Sequence, residues 1–474
     1  MFKVVRFFSL AALAFASAAC TLAPRYERPE PPIPDEWSAP VSGPAKTAAE
    51  DESIDALPWR EFVLSPKLEG LIELALENNR DLRIAALNVE RARGLYRIQR
   101  ADLLPNADAS GNFTRQRVPP NASLTGRTGI VEQYSASVGA AFELDFFGRL
   151  RSLNRAALED FLSQESSRRS LQISLIAEVA QAFLVTANDL ALKELAEATV
   201  RNQDEWFALT QERHRLGAAS GLELNQAQTQ VESARADAAR YEGDVARDLN
   251  ALRVLVGTNI PPELLPASND AQTALLGSVP VELPSRVLLS RPDILAAEHT
   301  LRAANANIGA ARAAFFPRIS LTGSGGYIST ELSDLFESNN RTWSFVPQVS
   351  IPIFQGGRLK AGLDVAHVDR EIALARYEQA IQIGFQEVSD ALALTGTLTK
   401  QMEAQERLVG ASSRAFELSQ ARREAGQESY LTLLDAQRSF YGAQQGLIAT
   451  RLAEQSNLVS LYRALGGGWE DAPR

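Results

Sequence analysis

A chain of 474 residues with a formal net charge of −10 has no clustered Lys/Arg surface for holding phosphate, which excludes a nucleic-acid partner. Its one cysteine excludes an internal disulfide. Its three histidines, His214, His299 and His367, stand in unrelated contexts without metal-ligand spacing, so each reads as an ordinary surface or seam residue.

The chain opens on Lys3 and Arg6, an apolar run from Phe7 to Phe15, and small residues ending at Ala19. That is the pattern of a secretory signal, residues 1–19, too short to cross a membrane as a helix. Cys20 follows directly, as in a bacterial lipobox, where the cysteine becomes a lipidated N-terminus. Ser17 stands where such motifs carry leucine, and Ala16-Ser17-Ala18 also suits ordinary cleavage near Ala18, so both readings stay open. Residues 20–66 then read as a tether. Prolines from Pro24 to Pro34 forbid helix and favour extended chain. Trp59, Phe62 and Leu64 are expected to dock onto a body.

Residues 67–103 read as helix, with Leu68, Leu71, Leu74, Ala75 and Leu82 at helical spacing and Pro105 beyond the end. A second such segment runs from Pro292 to Pro317. Between helices, Tyr134, Ala136, Val138, Ala140, Phe142 and Leu144 alternate with smaller or polar residues. Trp343, Phe345, Pro347, Val349, Ile351 and Ile353 do the same. Strands are predicted at about 107–118, 134–145, 318–329 and 342–354, each long enough for a tilted membrane crossing. Apolar-out, small-polar-in alternation fits a membrane barrel. Gly323-Ser-Gly-Gly326 reads as small-residue strand or turn, and Tyr134, Phe146, Phe147, Tyr327, Trp343 and Phe354 cluster near segment ends as a girdle would. Amphipathic hairpins packed on soluble helices are the alternative. Four strands cannot close a barrel and an open edge is not tolerated in lipid, so spanning strands require an oligomer. Three chains would give twelve strands.

The rest is a duplication. Gly148-Arg149-Leu150 recurs as Gly357-Arg358-Leu359, a shift of 209 positions (148 to 357). Gly217 with Ser220 recurs as Gly426 with Ser429, and Ala227-Gln228 as Ala436-Gln437. No proline falls within 148–257 or 357–466, which fits uninterrupted helix. From Arg358 to about Glu424 is ~65 residues, or roughly 100 Å, longer than a compact domain is wide. Leu171, Leu175, Val179 and Phe183, and Tyr377, Ile381, Phe385, Val388 and Leu392, form packed seams. The predicted organisation is therefore repeat one at 67–257, a Pro-rich connector at 258–288, repeat two at 289–466 and a tail at 467–474. The fold class is mainly α with a membrane β part. Near the second turn lie Arg422, Arg423 and Asp435. They are either solvated or capping charges, or, in an oligomer, a ring that gates a pore.

Pro24-Arg-Tyr26-Glu-Arg-Pro29, Ser290-Arg-Pro-Asp-Ile-Leu-Ala-Ala-Glu298, Ala313-Ala-Phe-Phe-Pro317, Ile353-Phe-Gln-Gly-Gly-Arg358 and Ser429-Tyr-Leu-Thr-Leu-Leu-Asp-Ala-Gln-Arg438 resemble the outer-membrane factor (TolC-like) family, closest to its OprM/NodT-type lipoprotein branch. The resemblance implies a homotrimer, a 12-stranded transmembrane β-barrel, an α-helical barrel through the periplasm, and a periplasmic end closed at rest. It implies an exit duct in the Gram-negative outer membrane, lipid-anchored, with no enzyme activity. Its partners would be outer-membrane lipid, a periplasmic adaptor (membrane fusion) protein and an inner-membrane pump of the proton-driven RND type. By motif match, Asp435 falls at an acidic gate ring, Leu431 at a constricting apolar position and Arg422 at a restraining arginine. Gly217, Ala218, Ala219 and Ser220, with Gly426, Gln427, Glu428 and Ser429, fall at tips that meet the adaptor. A protein-export duct and a structural periplasmic coiled-coil lipoprotein are the alternatives.

Overall fold

The computed structural model describes residues 21–37, 58–122, 128–273, 276–277 and 284–467. The predicted signal, Cys20 and the tail beyond 467 lie outside the described residues. In chain order the elements are α1 (Trp59–Phe62), α2 (Pro66–Asn78), α3 (Arg80–Ala101), β1 (Asn106–Val118), β2 (Gly129–Leu144), α4 (Arg149–Arg215) and α5 (Gly221–Val256). Then come α6 (Pro292–Ala313), β3 (Arg318–Ser329), β4 (Arg341–Ser350), α7 (Arg358–Glu424) and α8 (Tyr430–Ala464). Helices α4 and α7 are each 67 residues, about 100 Å at 1.5 Å per residue. The duplication is visible in the backbone itself. Gly148 and Gly357, Gly217 and Gly426, and Gly257 and Gly466 all take positive φ at the same spacing.

Within the described residues the chain forms two compact units. One draws on 21–30, 88–122, 128–164 and 296–377, and the other on 31–37, 58–87, 165–273, 276–277, 284–295 and 378–467. The first contains the sheet, antiparallel in the order β1-β2-β3-β4. Its registers sort the side chains cleanly. Ser110 faces Ser137, and Ser324 faces both Gly139 and Ser344, on one polar face. Hydroxyl pairs at 3.1 Å (Ser110–Ser137) and 2.8 Å (Ser324–Ser344) lie across that face. Val138, Phe142, Leu321, Phe345 and Val349 take the other face, because directly opposed residues share a side and neighbours alternate. The sequence alternation continues to Ile353, but β4 stops at Ser350. Pro352 supplies no N–H, and Gly356 and Gly357 turn to φ +56° and +87°. Among the described residues, the outer edges of β1 and β4 have no partner strand. In the same unit, Glu298 on α6 is 2% exposed and binds the N-terminal segment, accepting from Tyr26 Oη at 3.0 Å and Arg28 Nε at 3.1 Å. Burial alone would raise the Glu298 carboxyl, but Arg28 and Arg302 hold it below the ordinary range. His299 meets Glu159 at 2.7 Å, an ordinary structural contact.

The second unit is built on the seam residues. Val179, Phe183, Ile381 and Val388 are fully buried. Trp59, Phe62, Leu68, Leu71 and Ile72 pack on α4, α5 and α8, with Phe62 stacked on Tyr462 at 4.1 Å. Leu64 departs from expectation: it is 57% exposed, since the chain turns at Ser65 to cap α2. The helix predicted across 67–103 is also interrupted. Asn79 breaks it, its Oδ1 accepting from Leu82 N–H at 2.9 Å and its Nδ2 donating to Leu255 O at 2.8 Å. Arg291 is the counterpart in the second repeat, at a shift of 212 (79 to 291), and it donates to Ala464 O at 2.5 Å. Arg291 is 7% exposed and also pairs with Asp293 at 2.6 Å and Glu387 at 2.9 Å. Burial disfavours its charge, and the two carboxylates more than offset that, raising its pKa. Each latch sits against a glycine. A Cβ on Gly257, already at φ +75°, would lie 2.5 Å from Asn78 O.

One position departs between the copies in a testable way. Asp248 is pushed up to about 6 by burial and by the neighbouring Asp189, with Asp244 adding and Arg247 opposing. At a shift of 209 (248 to 457) the second repeat carries Asn457, whose amide donates at 3.0 Å to Ala391 O and 3.0 Å to Thr395 Oγ1. A carboxyl with a raised folded pKa favours folding below its unfolded pKa and loses that contribution as pH rises through the folded value. Asp248→Asn therefore raises the thermal midpoint of the purified protein at about pH 7.5 and leaves it unchanged at about pH 4.5. Equal gains at both pH values, read by circular dichroism, contradict the assignment.

Candidate functional site: the helical hairpin tips

Both tips are closed by the same local chemistry. Each long helix ends, turns through a glycine at φ +73° (Gly217) or +75° (Gly426), and restarts at a serine cap. Ser220 Oγ accepts from Glu223 N–H at 3.1 Å while Ser220 N–H donates to Glu223 Oε2 at 3.0 Å, a complete capping box. Ser429 Oγ accepts from Thr432 N–H at 3.2 Å. Threonine stands where the first repeat has Glu223, so the reciprocal half of the box is missing. Before each turn, a side chain reaches forward five residues to a loop carbonyl. His214 Nδ1 lies 2.9 Å from Ala219 O, and Arg423 Nη1 donates to Glu428 O at 3.2 Å.

The second turn adds charge. Arg422 Nε pairs with Glu428 at 3.2 Å within its own loop. Arg423 instead reaches the first hairpin, its Nη2 donating to Glu223 Oε1 at 3.0 Å. This pair is largely sheltered, at 18% and 26% exposure. The Ser220 backbone N–H, and then Arg423, hold the Glu223 carboxyl below its ordinary range against the opposing pull of burial. Behind it, Ala227, Tyr430 and Leu434 form a small apolar cluster with Phe207 packed alongside. Within the chain the ion pair between the hairpins is Arg423–Glu223, while Arg422, the arginine the sequence pointed to, pairs inside its own loop. The missed signal was the capping glutamate of one copy lying opposite the extra arginine of the other.

Leu431 and Asp435 lie four residues apart, on one side of α8. Leu433 and Leu434, between them in sequence, are buried. Leu431 is 63% exposed and Asp435 is exposed. Among the described residues Asp435 has no hydrogen bond or ion pair, and it does not meet Arg422 within the chain. The first repeat carries Gln226 at the matching position (shift 209, 226 to 435), so only the second copy presents a carboxylate there. Glycine, alanine and serine of the first tip, Gly217, Ala218, Ala219 and Ser220, and Gly426, Gln427, Glu428 and Ser429 of the second, form compact turns with mostly exposed side chains. No group of three or more His, Cys, Asp or Glu side chains is placed to hold a metal among the described residues.

An amphipathic sheet with two open edges, continued by helices about 100 Å long, defines a subunit of an oligomeric membrane barrel with a helical duct. A family profile described as outer membrane efflux protein matches residues 71–258 and 283–467. The chain belongs to this family of outer-membrane efflux channels. It is 48% identical over 465 residues to the toluene efflux pump outer membrane protein TtgC of Pseudomonas putida, covering 97% of this chain and 95% of that one. A membrane protein from Pseudomonas aeruginosa superposes with a TM-score of 0.88 at 41% identity, over 96% of this chain and 99% of that one. The open-state MtrE outer membrane channel of Neisseria gonorrhoeae gives 0.84 at 37% identity, over 95% and 99%. The fold is that of trimeric channels in this family. Three chains of four strands close one barrel of twelve, which pairs the free edges of β1 and β4. A coiled-coil lipoprotein that never spans the membrane is thereby set aside.

Proposed function

We propose that the chain is the passive exit duct of a pump driven by a proton-coupled RND-type transporter and reached through a periplasmic adaptor. Its cargo is small and apolar or amphiphilic. The efflux names and near-full-length match of its relatives support this over export of proteins. The tips at Gly217–Ser220 and Gly426–Ser429 are the adaptor contact, and Cys20 is the lipid anchor that holds the mature chain in the outer membrane. The periplasmic end closes by Leu431 and the Asp435 ring, restrained through Arg423–Glu223 and the Arg422–Glu428 loop pair. One observation carries the gate reading. Among the described residues Asp435 is exposed and has no hydrogen bond or ion pair, which leaves its carboxylate available to another chain or a cation.

The adaptor contact has a direct test. Cys20 is the chain's one natural cysteine and its thiol is consumed by lipidation, so Gln427→Cys carrying a photo-crosslinker on its thiol is expected to capture the adaptor when both are present in cells. The same label at Asn250, on the body of α5, is expected to capture none. Equal capture at both positions, or none at Gln427, removes the tip assignment.

A further inference from the structure

The duplication leaves a charge imbalance in one cavity. Glu143, Ser320 and Gln348 form one row across the sheet, with Arg318 and Ser350 in the next. These rows lie on the serine-lined polar face, which in a closed barrel is the lumen face. Where that face gives way to α4 and α7 there is a cavity of about 540 Å³, lined by Glu143, Arg149, Arg318, Gln348, Arg358 and Phe316 among others. The volume is that of a small-molecule site.

Arg149 is neutralised by Glu143 through bonds of 3.0 and 2.8 Å, and Asp145 is taken by Arg151 at 3.2 Å. Arg318 approaches the same Glu143 only to 3.6 Å, beyond hydrogen-bond reach. Arg358 donates to Gln355 Oε1 at 2.7 Å, and no carboxylate pairs with it among the described residues. The repeat explains why. A shift of 209 carries Arg149 onto Arg358, but carries Glu143 onto Pro352 and Asp145 onto Phe354. The second copy has kept the arginine and lost both carboxylates. Two incompletely neutralised guanidinium groups therefore face one cavity in a chain whose net charge is −10. Phe316, stacked on Phe147 at 4.7 Å, gives the same cavity an apolar wall.

We propose that this cavity binds amphiphilic organic anions, a carboxylate or sulfonate on an aromatic or aliphatic body, from the lumen. The planar forks of Arg358 and Arg318 take the anionic head and Phe316 takes the body. The proposal relies on the duct reading for access from the lumen. Its test needs neither pump nor adaptor, so its failure leaves the efflux assignment intact.

The probe is naphthalene-1-sulfonate, titrated calorimetrically into the maltoside-solubilised full-length trimer. One site per chain is expected. Arg358→Gln is expected to weaken binding about tenfold, the effect of losing one charge-assisted contact, and Arg318→Gln to weaken it further. Gel filtration verifies that the Arg358→Gln protein is still a trimer. Naphthylmethylammonium is expected not to bind, and sulfate at equal concentration not to compete. Unchanged affinity in a trimeric Arg358→Gln, equal binding of the ammonium compound, or full competition by sulfate overturns the proposal.

Discussion

Asp435→Ala combined with Arg423→Ala is expected to raise the single-channel conductance of the trimer in planar bilayers severalfold, with a smaller rise for either change alone. Arg423 ties the second hairpin to Glu223 of the first through a partly sheltered ion pair. Such a pair contributes about 1–2 kcal/mol, discounted for the water that still reaches it. In the proposed gate, where this pair belongs to the closed state, symmetry repeats the loss in all three chains and weakens that state by roughly 3–6 kcal/mol in total, enough to move a closed–open equilibrium by orders of magnitude. Glu223→Ala should act in the same direction while also removing the capping box of α5. Asp435 adds a separate contribution. Among the described residues its carboxylate has no partner, so in the proposed ring it is free to take a neighbour's cation or a metal ion. Divalent cations should therefore block the wild-type channel more strongly than Asp435→Ala. Unaltered conductance and cation block in the double variant remove the gate from this position.

Arg291→Ala is expected to destabilise the helical unit by about 3 kcal/mol. The guanidinium joins α6 to α7 through Glu387 and to the end of α8 through Ala464 O, from a site 7% exposed. Removing it leaves two carboxylates facing each other and a carbonyl without its donor. Breaking a buried pair costs about 3–5 kcal/mol, and the lower end applies because Asp293 and Glu387 keep 39% and 32% exposure. Arg291→Lys should recover only part, since a lysine cannot span both carboxylates and the carbonyl. Asn79→Ala, which removes the equivalent neutral latch and a helix cap, should cost about 1 kcal/mol. Thermal unfolding of the three variants orders them directly, and an Arg291→Ala protein as stable as Asn79→Ala contradicts the account.

The parts of the fold legible in the sequence are those set by local pattern. Glycines 209 apart mark backbone that must turn left-handed, and strict alternation through Val138, Ala140 and Phe142 marks a two-faced strand. What escaped detection depends on distant partners. Asn79 looks like one polar residue in a continuing apolar period, and only Leu255 and the chain turn at Gly257 show why the helix stops there. Leu64 reads as a docking residue beside Trp59 and Phe62, yet the cap at Ser65 turns it outward. At the tips, Asp435 was legible as a charge near the second turn and Leu431 only through the motif shared with the outer-membrane factor family. The ion pair that joins the hairpins was not legible, because Glu223 and Arg423 are 200 positions apart.

The proposed function is to pass small molecules out of the cell for a pump that works elsewhere. Its most direct test is dye efflux from preloaded Gram-negative cells lacking their own outer-membrane channel but carrying the adaptor and pump of a close relative. Expression of this chain is predicted to restore energy-dependent efflux, and removing either partner to abolish it. Trimers inserted in the outer membrane, bound to the adaptor, that leave dye retention unchanged would contradict the account.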